Sequence, residues 1–196
     1  LQIGDFGFSR EWRWLHYAGI DPENHKVLAG NHDDYDMAPL CKHYFGDFGL
    51  TRIGGIIFFG VRGGISLDRA SREVSRLRGA ERTYWPKEEL NFPEMQECLR
   101  LYASLKPDIV VSHVPPAHFI PELHPDNSSI TRFGFDVGFR EATSLLGDAM
   151  LALHVPKLWI FGHHHKSFKS DSVKGMRAIG LDCLETYTIG DCDVLT

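Results

Sequence analysis

An α/β layered domain is the fold class the sequence predicts, and three observations predict it. Short apolar runs end abruptly in polar, Gly-containing clusters, as strands buried on both faces do. Amphipathic stretches at helical spacing lie between those runs. The Asp, Asn and His residues gather on the carboxyl side of the runs, where the loops of open α/β sheets converge on a ligand.

Taken in order, residues 1–3 read as a strand already under way, without an initiating Met. A truncated N-terminal part is therefore expected ahead of them. They run into Gly4-Asp5-Phe6-Gly7, and the run 26–29 ends in Gly30-Asn31-His32-Asp33-Asp34. Residues 50–53 and 56–60 flank Gly54-Gly55, a two-residue hairpin turn that needs positive φ. The basic and polar stretch 69–82 reads as a solvated helix face, and Tyr84-Trp85-Pro86 with Glu88 and Glu89 as a lid or packed insert.

A helix is predicted over 93–105, with Met95, Cys98, Leu99, Tyr102 and Leu105 apolar and Lys106-Pro107 stopping it. The run 108–111 ends in Ser112-His113-Val114-Pro115-Pro116. A second helix is predicted over 140–153, and the run 157–161 ends in Gly162-His163-His164-His165. Arg177-Ala178-Ile179 and residues 184–189 read as a further antiparallel meander.

The 196 residues, 43% apolar, fit one domain with a real core. Twenty-six acidic against 21 basic residues give a net charge of −5, so no basic footprint for nucleic acid or an anionic membrane is visible. No apolar run approaches the roughly 20 residues of a membrane helix, and no membrane partner is expected. Cys41, Cys98, Cys183 and Cys192 are scattered without a C-x-x-C pair, which points to reduced thiols in a cytoplasmic protein. Cys183 and Cys192 could face each other across the last hairpin, although free thiols are favoured.

The polar set at the strand ends is Asp5, Asn31, His32, His113, His163 and His165. One carboxylate, one amide oxygen and four imidazoles suit Zn, Mn, Fe or Ni. His163 and His165 are two apart, so in an extended segment both rings point to one side and His164 points away. Glycines before Asp5, Asn31 and His163 permit close backbone approach. A single carboxylate can bridge two cations, and such a pair lowers the pKa of a bound water and clamps the oxygens of an in-line displacement.

Gly4-Asp5, Gly30-Asn31-His32-Asp33, Ser112-His113 and Gly162-His163-His164-His165 resemble the calcineurin-like metallophosphoesterases. That family carries D-x-H, G-D, G-N-H-[DE], a lone His and G-H-x-H in this order. The resemblance spans Gly4 to His165 and implies a layered α/β/β/α sandwich, here without the first strand that bears D-x-H. It implies two divalent metal ions bridged by Asp5, with Asn31, His113 and His163 completing one and His165 serving the other. His32 would not be a ligand; it would steady the phosphoryl group or protonate the leaving oxygen.

The resemblance also implies a metal-activated water attacking a phosphoester substrate in line. A phosphomonoester is slightly favoured. A phosphodiester, or a non-catalytic metal-binding scaffold, is the alternative, and the acidic balance argues against a dedicated nuclease. The family's protein phosphatases read G-D-x-x-D-R-G, but Phe8 and Ser9 stand at the corresponding positions. An orienting carboxylate either comes from elsewhere, with Asp33 and Asp34 the candidates although both read first as turn acids, or is missing. Arg62-Gly63-Gly64 and Ser66-Leu67-Asp68-Arg69 resemble a segment of small microbial and phage members. Arg62 is a candidate contact for phosphate oxygens, which a guanidinium matches bidentately.

Overall fold

The computed structural model describes residues 1–8, 12–126, 136 and 138–190. The chain opens with strand β1 (Gln2–Ile3), helix α1 (Trp12–Tyr17) and strand β2 (Val27–Leu28), and β1 and β2 pair in parallel. A hairpin of β3 (Phe48–Ile53) and β4 (Ile56–Val61) follows, closed by Gly54 and Gly55 at φ 55° and 87°. Two positive φ angles make the turn whose twist matches its strands, as the Gly-Gly pair predicts. Helices α2 (Arg69–Leu77) and α3 (Phe92–Leu105) lead to β5 (Ile109–Ser112). Then come α4 (Ile120–Leu123), α5 (Ala142–Leu153), β6 (Leu158–Phe161), β7 (Phe168–Ser170) and β8 (Arg177–Gly180).

The larger sheet has six strands in the order β3-β4-β5-β6-β8-β7. Its four central strands run parallel, and β3 and β7 pair antiparallel at its ends. Along these strands the pleat sends neighbouring side chains to opposite faces. Phe59, Val110, Trp159 and Ala178 pack on one side with Tyr102 of α3 and Met150 of α5. Phe58, Val111, Ile160 and Ile179 pack on the other, where Ile3 of β1 and Phe45 meet them. Val27 of β2 shares a third cluster with Leu15 of α1. The layers thus run from α3 and α5 through the large sheet and the small sheet to α1, the arrangement the family resemblance implies.

Local chemistry sets the element boundaries. Asn91 Oδ1 accepts from the Glu94 amide at 3.0 Å while Glu94 Oε2 accepts from the Asn91 amide at 2.8 Å, so α3 starts on a reciprocal cap. It ends where Lys106 turns left-handed at φ 45°, just before Pro107. The Tyr102 hydroxyl donates to the His154 carbonyl at 2.9 Å, tying the ends of α3 and α5 together.

Two expectations need correction or completion. Residues 184–189 form no strand; Tyr187 and Ile189 pack as coil against the second face of the large sheet, and β8 takes its antiparallel partner from β7 instead. Trp85 is buried with Tyr35 and Phe8, so the 84–89 stretch is a packed insert and not a lid. Helix α2 buries none of its residues, as a solvated face should. Cys41 and Cys98 are buried free thiols, and the suggested Cys183–Cys192 pairing involves a residue outside the described ones. No described helix is long and apolar enough to cross a membrane.

Candidate active site

Sheet register delivers the site residues. Ser112 of β5 and Phe161 of β6 are partners, so His113 and Gly162 leave the sheet side by side, with the Gly162 amide donating to the His113 carbonyl at 2.9 Å. Ile3 and Leu28 are partners in the small sheet, so the loops bearing Asp5 and Asn31 also emerge together. Asp33 stitches these two loops. Its Oδ2 accepts from the Gly30 amide and its Oδ1 from the Gly7 amide, both at 2.7 Å. Burial raises the pKa of this carboxyl, and the amide hydrogen bonds oppose the rise. Asp33 and Asp34 are therefore turn acids: Asp34 accepts from the Asp36 and Met37 amides, and neither carboxylate hydrogen-bonds His32.

Four of the predicted residues are brought to one point. Asn31 Oδ1 lies 3.1 Å from His113 Nε2 and 3.1 Å from His163 Nδ1, and those two nitrogens are 3.2 Å apart. Asp5 Oδ1 is 3.5 Å from His113 Nε2. The Ile3 carbonyl, 3.0 Å from His113 Nδ1, can only accept, so it places the ring proton on Nδ1 and leaves the Nε2 lone pair inward. Glu141 Oε1 faces His163 Nε2 at 3.7 Å, beyond hydrogen-bond reach, and His163 Nδ1 is the ring nitrogen turned toward Asn31 Oδ1.

Electron-rich atoms thus point at one another in a buried place. Atoms held about 2.1 Å from one cation stand about 3 to 3.5 Å from each other, so the donors present fit a divalent ion. Among the described residues no three His, Cys, Asp or Glu side chains form such a group by themselves; the convergence depends on the Asn31 oxygen. Burial and the neighbouring imidazoles also push the His163 pKa well down, keeping its ring neutral and fit to ligate.

Backbone conformation at the site is costly. Asp5, His163 and His165 all have positive φ, at 51°, 67° and 49°, a region that non-Gly residues occupy mainly where surrounding structure forces them. This corrects the expected alternation at 163–165. The segment is not extended, and His163, His164 and His165 all line one cleft. His164 Nδ1 lies 2.9 Å from His124 Nε2, and burial among these groups drives its pKa down to about 3. His165 is exposed on the cleft wall and makes none of the short contacts that join the other four residues.

Two glycines make the approach possible. A Cβ on Gly4 would lie 1.9 Å from His113 Nδ1, and one on Gly30 would lie 2.4 Å from Asp5 Oδ1 and 2.7 Å from His113 Cε1. At Gly162 a Cβ would meet only ordinary contacts, the nearest at 3.5 Å, so close approach does not require that glycine. Gly30→Ala is expected to displace Asp5 and His113 and weaken cation binding by at least the roughly 10- to 100-fold typical of a disturbed supporting residue. Calorimetric titration with Mn²⁺ checks this.

His32 stands at the mouth of the site. Its amide donates to Asp5 Oδ1 at 3.0 Å, and its ring lines the cleft together with Asp68 and Arg72. Partial desolvation holds its pKa below the ordinary imidazole value, while the charges of Asp5 and Asp68 pull the other way. The cleft has a volume of about 420 Å³, and Ile65, Leu67, Ile120 and Phe139 give it an apolar wall.

Arg62 is not brought there. Its guanidinium pairs with Asp47, donates to the Lys87 carbonyl at 2.6 Å and stacks on the Tyr35 ring at 4.5 Å, all in a buried setting. The arginines on the cleft wall are Arg72 and Arg140.

Sequence reasoning also missed Glu141, Glu88 and Ser66. Glu141 accepts from the Ile65 amide at 2.8 Å, and burial pushes its carboxyl up to about 8. Glu88 takes both the amide and the hydroxyl of Ser66 at 2.7 Å, and burial raises it to about 7. Neither carboxylate stands in a recognisable spacing from the residues it serves, so no signal in the chain marks them. Ser66 lies in the Ser-Leu-Asp-Arg string, whose pattern gives the hydroxyl no role.

No curated protein matches this sequence. A family model, Calcineurin-like phosphoesterase, matches residues 3–167, which include every donor described above. The four motif blocks, the layered sheets and this match agree, and the chain belongs to the calcineurin-like phosphoesterases, a family of metal-dependent phosphoester hydrolases that typically bind divalent metals.

Proposed function

We propose that this chain hydrolyses phosphomonoesters with two divalent cations drawn from Mn, Fe, Zn and Ni. Asp5 is shared between them, Asn31, His113 and His163 hold one, and His165 serves the other. The observation that carries the reading is the meeting of Asn31 Oδ1, His113 Nε2 and His163 Nδ1 within 3.1 to 3.2 Å. When bound, the cations lower the pKa of a water and offset charge on the phosphoryl oxygens.

The protein's own groups do the rest. The Ile3 carbonyl fixes which nitrogen of His113 faces inward. The His32 amide holds Asp5 Oδ1 in place, and the His32 imidazole is free of that task to serve the leaving oxygen. The apolar wall of Ile65, Leu67, Ile120 and Phe139 excludes water beside an organic leaving group, and Arg140 stands on the same cleft wall as Arg72, which is held by Asp68 at 2.7 Å.

The test compares p-nitrophenyl phosphate with bis(p-nitrophenyl) phosphate in Mn²⁺. A higher kcat/KM on the monoester is expected. A higher value on the diester reverses the substrate assignment, and Mn²⁺ binding without turnover of either ester favours a scaffold instead of an enzyme.

A further inference from the structure

We infer that Ser66 and Glu88 form a positioning relay that decides which end of the Asn31 amide faces the cation donors. The inference rests on Asn31 as a cation ligand, as proposed above. The two ends of an Asn side chain are alike in size and opposite in chemistry, an acceptor oxygen and a donor NH₂. Turned one way, Asn31 offers a lone pair beside His113 Nε2 and His163 Nδ1. Turned the other way, it fills the same place with hydrogens and repels a cation. Something must fix the choice.

Asn31 Nδ2 donates to Ser66 Oγ at 3.1 Å, its shorter contact, with His32 Nε2 farther off at 3.4 Å. A hydroxyl both donates and accepts, so Ser66 alone would tolerate either end of the amide. Glu88 removes that freedom. When the carboxyl is ionised, its Oε2 takes the hydroxyl proton at 2.7 Å and its Oε1 takes the Ser66 amide at 2.7 Å. The competing acceptor for the hydroxyl, the Asn31 carbonyl, is 3.5 Å away and loses to the nearer carboxylate. With its single proton committed to Glu88, Ser66 Oγ presents only lone pairs to Asn31. Nδ2 must then face Ser66, and Oδ1 must face the histidines.

Solvent does not blur this choice, because Asn31, Ser66 and Glu88 are only 3%, 1% and 2% exposed. The strap that carries Ser66 is itself anchored. The Gly63 amide donates to the Ala29 carbonyl at 2.9 Å, next to the Asn31 loop, and the Ile65 amide donates to Glu141. Ser66 and Glu88 touch no reacting atom; they act through Asn31 and are positioning residues.

The experiment titrates Mn²⁺ calorimetrically into the full chain and into Ser66→Ala, Ser66→Thr and Glu88→Gln, with thermal melting of each metal-free protein beside it. Ser66→Ala is expected to weaken Mn²⁺ binding about 10- to 100-fold and still melt cooperatively. Ser66→Thr keeps the hydroxyl and recovers most of that loss. In Ser66→Ala, kcat on p-nitrophenyl phosphate climbs back toward wild type as Mn²⁺ saturates, which damage to the substrate cleft would not allow.

Should Ser66→Ala fail to fold, Glu88→Gln carries the test, because its amide can donate to Oγ and release the hydroxyl proton; it too should bind Mn²⁺ more weakly. Wild-type affinity in Ser66→Ala or Glu88→Gln, or a Ser66→Thr no better than Ser66→Ala, overturns the relay alone. A wild-type chain that binds no Mn²⁺ overturns the reading of the site and the relay with it.

Discussion

His32→Ala lowers kcat on p-nitrophenyl phosphate by about 10²- to 10⁴-fold, the range expected for loss of one acid–base group, while Mn²⁺ affinity stays near that of wild type. The separation follows from which part of His32 does what. Its amide, not its ring, holds Asp5 Oδ1 at 3.0 Å, and alanine keeps that amide. Its ring is absent from the cluster of Asn31 Oδ1, His113 Nε2 and His163 Nδ1. The pH profile reads its role directly. A proton donor works only as imidazolium, so wild-type kcat falls on the alkaline side, and the variant lacks that limb. A variant that loses rate and keeps the limb assigns His32 to steadying the phosphoryl group instead.

His113→Ala has the larger effect on the cations themselves. This ring alone contacts Asn31 Oδ1, His163 Nδ1 and Asp5 Oδ1 together, and its other nitrogen anchors on Ile3. Its removal takes out a donor and leaves the others without their common neighbour. Mn²⁺ binding should weaken by more than the 100-fold upper range of supporting residues, with hydrolysis lost in step. The Ile3 carbonyl also loses its partner, at a cost of about 1–3 kcal/mol if it stays dry, so the metal-free variant should melt earlier. In the wild type, a chelator should abolish hydrolysis and added Mn²⁺ should restore it.

Much of this site was legible because the family pattern is local. Gly4-Asp5, Gly30-Asn31-His32, His113 and Gly162-His163 each sit within a few residues of a strand end, and parallel register makes the strand ends neighbours. Long-range pairing was not legible. Arg62 looked like a phosphate contact because nothing in the chain shows Asp47 and Tyr35 waiting for it. Glu141 meets Ile65 across 76 residues and Glu88 meets Ser66 across 22, with no periodicity to announce either contact.

Conformation misled in two further places. Alternation at 163–165 assumed extended backbone, and positive φ at His163 and His165 breaks it. The apolar residues of 184–189 suggested a strand, yet Tyr187 and Ile189 cover the sheet face without joining its ladder.

The claim beneath all of this is that Asn31, His113, His163 and Asp5 close around a cation. Anomalous diffraction at the Mn edge, from crystals of the full chain soaked in Mn²⁺, tests it most directly. The predicted result is a peak about 2.1 Å from Asn31 Oδ1, His113 Nε2 and His163 Nδ1, with an Asp5 oxygen beside it. Manganese bound only elsewhere on the protein, with those three atoms sharing no peak, would contradict it.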